Sequence, residues 1–251
     1  VVTALQSPAY IARRESRAKE HQLRLASIAS RPRLSDDDVL DANNIGSLLK
    51  TCLPKSTTFM IEAVMASQLL FDQLQPCRPG SWINCGATGF GWSNGAALGV
   101  KMALANLKQG GDVPIPNLVC QVIGDGSFMC AALSSAMWIA SKYRIPILTM
   151  VLNNGGWKAP RNSARLVYPT SFSASAADDE INTSFQPSPN YAGLAEAAVG
   201  SQGVCGSSST SPQVWMKGIR ARTAGELKEA LKIATSRVGK DGTSMLVEAL
   251  M

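Results

Sequence analysis

Val119-Cys120-Gln121-Val122-Ile123-Gly124-Asp125-Gly126-Ser127-Phe128 and Thr149-Met150-Val151-Leu152-Asn153-Asn154-Gly155-Gly156-Trp157 are the two stretches that decide the reading of this chain. The first opens on a short, mostly apolar, β-branched run stopped by Gly-Asp-Gly. That pattern predicts a buried strand ending in a tight turn, with Asp125 at its carboxyl end. Over 131–143 the apolar residues Leu133, Ala136, Met137, Ala140 and Tyr143 recur at spacings of three and four, so a helix with one apolar face follows. A second apolar run over 145–152, interrupted near its start by Pro146, ends on the two asparagines. In an open parallel sheet, ligands sit outside the carboxyl ends of the strands. Asp125 and Asn154, far apart in sequence, are therefore expected to face one space.

A carboxylate and an amide oxygen are hard ligands of the kind Mg²⁺ prefers, and Mg²⁺ usually completes its shell with phosphate oxygens and water. Gly126 and Ser127 lead into a helix whose first N–H groups lack intrahelical acceptors, which favours an anion. Either fragment alone is an ordinary turn. Together, joined by a helix and a strand, Gly124-Asp125-Gly126-Ser127 and Asn153-Asn154 resemble the thiamine diphosphate signature, Gly-Asp-Gly followed downstream by Asn-Asn. The resemblance implies that Asp125, the Asn154 side chain and the Gly156 carbonyl hold Mg²⁺, that the metal holds the cofactor's diphosphate, and that Ser127 contacts the diphosphate. Gly124 and Gly126 belong to the same cofactor-binding set, and Trp157 faces cofactor or substrate or merely packs.

Upstream, Asn84-Cys85-Gly86-Ala87-Thr88-Gly89-Phe90-Gly91-Trp92-Ser93-Asn94-Gly95-Ala96-Ala97-Leu98-Gly99 is a glycine-rich loop running into a helix. Ala97, Val100, Leu104 and Leu107 line one face of that helix, and Gly110-Gly111 stop it. A dinucleotide fingerprint is the rival reading, but Asn94 stands where the third glycine belongs and no acidic ribose contact is evident. The loop is instead similar to the segment of the acetolactate synthase, benzoylformate decarboxylase and benzaldehyde lyase group. There the position of Phe90, beside Gly91, holds a bulky apolar residue that wedges the cofactor into a bent shape. Phe90 departs from the commoner Leu, Ile or Met, and plain core packing is its alternative role.

The remaining segments alternate. A basic helix over 9–28 and the break Arg31-Pro32-Arg33 make 1–34 a linker from an upstream region. Ser35-Asp36-Asp37-Asp38 is expected to cap a helix carrying Ile45, Leu48 and Leu49. Strands are expected over 57–64, with Glu62 near its end, over 214–221 and over 244–249. Helices are expected over 191–199 and after the capping box Thr223-Ala224-Gly225-Glu226. The stretch after Trp157 as far as Pro189 reads as a long active-site loop or cover, and 206–212 as a flexible loop. Strands alternating with helices predict an α/β fold, a doubly wound, mainly parallel sheet with helices on both faces, over a single cofactor-binding domain at 35–251.

The net charge of +6 is scattered except around Arg13-Arg14, so neither a nucleic-acid nor a membrane partner is expected. Six cysteines contain no Cys-x-x-Cys pair, and the lone His21 completes no zinc site. They read as reduced, mostly buried thiols of an intracellular, cytoplasmic or mitochondrial protein. No charged-then-apolar leader pattern and no bilayer-spanning run is read in these residues, so secretion and membrane insertion are not expected. The chain opens on Val1, consistent with a fragment or a processed chain.

The family's cofactor is an electron sink for bond cleavage or formation beside a carbonyl, commonly that of a 2-oxo acid. The resemblance therefore implies a decarboxylase or carboligase acting on 2-oxo acids or aldehydes, a lyase or transferase that is homo-oligomeric when complete. In that family the activating glutamate lies on a separate pyrimidine-binding domain or subunit, and no segment here resembles that domain. Glu62 lies on the wrong motif to replace it. The isolated chain is thus expected to be inactive, the alternative being a truncated, non-catalytic binder of the cofactor or of a partner.

Overall fold

The computed structural model describes residues 7–86, 89–107, 118–199 and 214–251. Among these, six strands form one parallel sheet: β1 (Thr58–Glu62), β2 (Trp82–Asn84), β3 (Val119–Gly124), β4 (Leu148–Asn153), β5 (Met216–Ala221) and β6 (Ser244–Leu250), in the order β2-β1-β3-β4-β6-β5. Every pairing is parallel. The doubly wound α/β architecture expected from the sequence is the one found.

The helices are α1 (Pro8–Ala29), α2 (Ala42–Cys52), α3 (Ser67–Leu74), α4 (Trp92–Leu107), α5 (Asp125–Cys130), α6 (Leu133–Lys142), α7 (Lys158–Val167), α8 (Phe172–Ser175), α9 (Tyr191–Ala198) and α10 (Ala224–Gly239). Alternation along the strands divides them between the two faces. Phe59, Ile61, Cys120, Val122, Leu148, Met150 and Val247 pack with Ile45, Leu49, Leu70 and Leu231 of α2, α3 and α10. On the other face, Met60 and Val119 pack with Ala97 of α4 and Ala140 of α6, while Ile123, Val151 and Leu246 pack with Met137 and Tyr191 of α6 and α9. The central strands β1, β3 and β4 are buried almost throughout and the edge strands are not, as a sheet covered on both sides requires.

Several boundaries differ from expectation for local reasons. The Gly124-Asp125-Gly126 punctuation is not a turn: α5 begins directly at Asp125, and the helix expected over 131–143 follows it as α6. α2 is capped by Asp41, whose side chain accepts the Asn44 N–H. The residues expected to cap it sit instead at the start of α10, where the Asp38 and Asp36 carbonyls accept the Ala224 and Gly225 N–H groups. The expected loop from Trp157 to Pro189 contains two helices, because Pro160 falls in the first turn of α7, where its missing N–H costs nothing. Gly110-Gly111, the 206–212 loop and Cys205 lie outside the described residues.

The first part of α1 is exposed, but its end is bound to the domain. Ile28 is buried, its carbonyl accepts from Gln73 Nε2 at 2.9 Å, and Arg24 and Arg31 pair with Asp72. Of the described cysteines, all free, only Cys120 is buried; Cys77 and Cys130 are exposed, which corrects the expectation of mostly buried thiols. No helix among the described residues is long and apolar enough to cross a membrane.

Candidate functional site

From β1 the chain leads outward to β2, and from the adjacent β3 it leads the other way, to β4. The connections therefore diverge between neighbouring strands, opening a crevice at their carboxyl ends. Each of these two strands delivers a buried carboxylate there, Glu62 from β1 and Asp125 just past β3.

Glu62 accepts the backbone N–H groups of Gly91 at 2.5 Å and Ser93 at 2.8 Å. It thus occupies the positive end of α4 with the protein's own charge. A dinucleotide bound to the glycine-rich loop would need those same donors, so the geometry disfavours that rival. Behind the loop, Gln121 donates to Ser93 Oγ and Asn94 Oδ1, each at 2.8 Å, and accepts from Thr149 Oγ1, fixing the start of α4 to β3 and β4.

Asp125 has different surroundings. One carboxylate oxygen accepts the Gly126 N–H at 2.9 Å; the other accepts those of Gly155 at 2.9 Å and Gly156 at 3.0 Å. Strand β4 thus presents its loop directly to the residue after β3. Burial pushes the Asp125 carboxyl above the usual range, against the lowering effect of the backbone donors. Nearby, burial and then the charges of Asp125 and Glu248 push the Tyr191 hydroxyl upward. Asn154 lines the same space, and its Oδ1 is buried with no hydrogen-bond donor. A buried carbonyl oxygen without a donor is costly unless something positive reaches it.

The loop is braced from outside. Trp157 N–H donates to the Thr183 carbonyl at 2.7 Å, Phe185 N–H to the Gly155 carbonyl at 2.9 Å, and Gly156 bridges to Ser184. The Gly156 carbonyl accepts the Lys158 N–H at 2.8 Å, which leaves one lone pair. The Trp157 ring lies against Gly126, where a Cβ would stand 2.5 Å from it, and contacts Phe90 at 5.8 Å and Phe185 at 5.1 Å between centroids. Arg161, buried in α7, donates to the Ser173 and Ala176 carbonyls and pairs with Asp178 at 3.2 Å, so α7, α8 and the segment returning to Ser184 are tied into one cover.

Of the residues singled out in the sequence, Phe90, Gly124, Asp125, Gly126, Ser127, Asn154, Gly156 and Trp157 line one pocket of about 320 Å³. Gly91 stands behind it as a donor to Glu62. Phe90 is 45% exposed, so it is a wall of the pocket and not core. Sequence reasoning missed Val64, Met65, Lys158, Pro160 and Met251, which also line the pocket. Their contribution arises only when the ends of β1, α7 and β6 converge. Phe185 carried no signal either, because its role comes from a contact with Trp157 made across the cover.

Residues 64–248 match the description "Thiamine pyrophosphate enzyme, C-terminal TPP binding domain". The chain belongs to that family. Benzoylformate decarboxylase of Pseudomonas aeruginosa is 25% identical over 122 residues, 49% of this chain and 21% of the relative. In fold, the chain is similar to the thiamine diphosphate-dependent 4-hydroxybenzoylformate decarboxylase of Rhodococcus jostii RHA1 (TM-score 0.66, 21% identity, 88% of this chain and 34% of that one). It is also similar to the benzoylformate decarboxylase of Polynucleobacter necessarius (TM-score 0.62, 15% identity, 88% and 35%). This chain spans about a fifth to a third of the length of these relatives.

The crevice is therefore that of a thiamine pyrophosphate-binding domain, and its donor set can be tested against the divalent cation expected from the sequence. Among the described residues, no three His, Cys, Asp or Glu side chains cluster as metal ligands. A metal here would depend on one carboxylate supplemented by amide and backbone oxygens. Asp125 and the orphaned Asn154 Oδ1 fit that requirement, and the free lone pair of the Gly156 carbonyl is compatible with it.

Proposed function

We propose that this chain is the cofactor-holding portion of a thiamine diphosphate- and Mg²⁺-dependent decarboxylase or carboligase acting on 2-oxo acids or related carbonyl compounds. Asp125, Asn154 and the Gly156 carbonyl would hold the metal, and Gly126 and Ser127, which line the same pocket, would contact the diphosphate. The observation that carries the reading is the pairing of a buried carboxylate, bonded by backbone N–H groups, with a buried amide oxygen that has no donor, at the ends of adjacent strands.

When bound, the cofactor supplies an electron sink for bond cleavage or formation beside a carbonyl. The chain's own residues do the rest. Phe90 and Trp157 form an apolar wall against which an aromatic cofactor is positioned. Val64, Met65, Pro160 and Leu69 exclude water from the mouth. Glu62 is held by two N–H groups and is not free to activate a pyrimidine nitrogen. That role would fall to a glutamate on a pyrimidine-binding domain or partner subunit. Leu166, Val167, Tyr168 and Phe172, exposed at the end of α7 and on α8, support this division, because a partner domain would bury such a surface. The relatives that act on benzoylformates favour an aromatic 2-oxo acid within the class.

Calorimetric titration of thiamine diphosphate into the purified chain, with Mg²⁺ and then with a chelator, tests the reading. Binding that requires the metal is expected. Metal-independent binding overturns the ligand assignment, and no binding either alone or with an added pyrimidine-binding subunit overturns the function.

A further inference from the structure

Glu248, near the end of β6, is fully buried. It lies beside Val151 of β4 and Arg220 of β5 in the sheet register. Arg220 Nε donates to one of its oxygens at 3.0 Å and Arg220 Nη2 to the other at 3.2 Å. The second oxygen also accepts from Asn153 Nδ2 at 2.8 Å. Asn153 Oδ1 in turn accepts the Gly155 N–H at 3.0 Å, the same N–H that reaches Asp125.

From this geometry we infer that Glu248, neutralised by Arg220, is a positioning residue for the Asp125–Asn154 site, acting through the amide of Asn153. The argument is one of donor and acceptor parity. A carboxylate offers only acceptors, so it must face Asn153 Nδ2, which turns Oδ1 toward Gly155. The flipped amide would set an oxygen against the Glu248 carboxylate and an NH₂ against the Gly155 N–H. A single buried charge therefore selects one of two amide orientations, and only that one holds Gly155 and Gly156 with their N–H groups on Asp125.

The same network grips the far end of the cover. Asn153 Nδ2 also donates to Ser188 Oγ at 3.0 Å, and Arg220 Nη2 to the Pro189 carbonyl at 3.3 Å. Where the cover meets the sheet and where the glycine loop meets Asp125 are thus set by one group. The inference rests on the proposed function only for the identity of the ligand.

The test uses Glu248→Gln, Arg220→Ala, Arg220→Lys and Asn153→Ala in the full chain. Asn153→Ala leaves Glu248 its Arg220 partner and serves where Glu248→Gln fails to fold. Amide exchange of the ligand-free proteins is read by mass spectrometry, and thiamine diphosphate with Mn²⁺ is titrated below each variant's melting temperature. We expect faster exchange confined to 153–157 and 184–189, and affinity lowered by about 10- to 100-fold, the range for groups that orient metal ligands. Arg220→Lys should recover most of both. Unchanged exchange at 153–157, or a rise spread evenly over β4, β5 and β6, overturns the inference. If the wild-type chain binds no cofactor, either alone or with an added pyrimidine-binding subunit, the proposed function fails, but the exchange measurement still decides this one.

Discussion

Replacing Gly156 by Ala should damage the site far more than the same change one residue earlier, and the two contexts give the size of the difference. Gly155 has φ +80° and Gly156 φ +152°, so both sit in conformations that L residues rarely adopt. At Gly155 nothing lies nearer than 4.0 Å to an added Cβ; at Gly156 the Cβ would stand 2.0 Å from the Thr183 carbonyl oxygen. Carbon–oxygen contacts normally begin near ~3.3 Å, so the cover must retreat by more than ~1 Å. That carbonyl accepts the Trp157 N–H, so the retreat also breaks a hydrogen bond. Gly155→Ala should cost about 1–2 kcal/mol in backbone strain alone. Gly156→Ala adds overpacking of about 1–3 kcal/mol and a lost hydrogen bond of about 1 kcal/mol, for a total near ~4 kcal/mol. The cover can peel away locally, so the loss is divided between two readouts, urea unfolding of the ligand-free chain and its affinity for thiamine diphosphate with Mg²⁺. Summed over both, Gly156→Ala should exceed Gly155→Ala by about 2–4 kcal/mol, or about 30- to 1,000-fold in an equilibrium constant. Equal losses for the two variants would refute the reasoning, because they would show that Thr183 does not press on the loop.

Asp125→Ala is expected to abolish metal-dependent cofactor binding while leaving the fold, since it removes the carboxylate of the donor set; an unchanged affinity by calorimetry would refute that. The same residue sets a pH dependence. Its folded pKa is raised above the unfolded 3.8, so in chelator wild-type stability relative to Asp125→Ala should fall as pH rises through the raised value, read by urea unfolding at acidic and neutral pH. Asp72 has the opposite sign. Burial raises its carboxyl, but bonds from Arg24, Gln68 and Arg31 outweigh that and leave it lowered. Its contribution is present above 3.8 and lost as pH falls through the lowered folded value. Arg31→Ala should reduce it by no more than about 1 kcal/mol, because both arginines reach solvent. Glu62→Ala strands two buried N–H groups and should cost about 2–4 kcal/mol in urea, with Glu62→Gln intermediate; no change would mean that the start of α4 finds other acceptors.

What could be read from the sequence followed the range of the forces involved. The residues at β3 and β4 were legible because strand hydrophobicity and terminal Gly, Asp and Asn act locally, and one topological rule then brings Asp125 to Asn154. α3 was missed because Asp72 and Gln73 interrupt its buried face; they are tolerated there only because α1 returns to supply Arg24, Arg31 and the Ile28 carbonyl as partners. β2 is three residues long and half exposed at the sheet edge, too short for alternation to register. The helices of the cover were hidden for a similar reason. α7 is polar along most of its length and is held by the buried Arg161 guanidinium on carbonyls of the segment after it. Contacts of that kind have no sequence period.

The three buried carboxylates near the carboxyl ends of the strands differ in how their burial is compensated, and the difference supports the cation proposed at one of them. Each is within the sheet's polar end and each is nearly or fully inaccessible, so each would be destabilised without compensation. At Glu62 the backbone donors of Gly91 and Ser93, with the positive end of α4 behind them, supply it. Glu248 has a guanidinium on both of its oxygens. Asp125 has three N–H donors, more than Glu62, yet burial still outweighs them and holds its carboxyl high. Beside it lies the Asn154 oxygen, also buried and without a donor. A proton on Asp125 would relieve the first problem but would do nothing for Asn154. A divalent cation would relieve both at once, so the proposed metal accounts for Asp125 and Asn154 together, where packing alone would need two separate explanations.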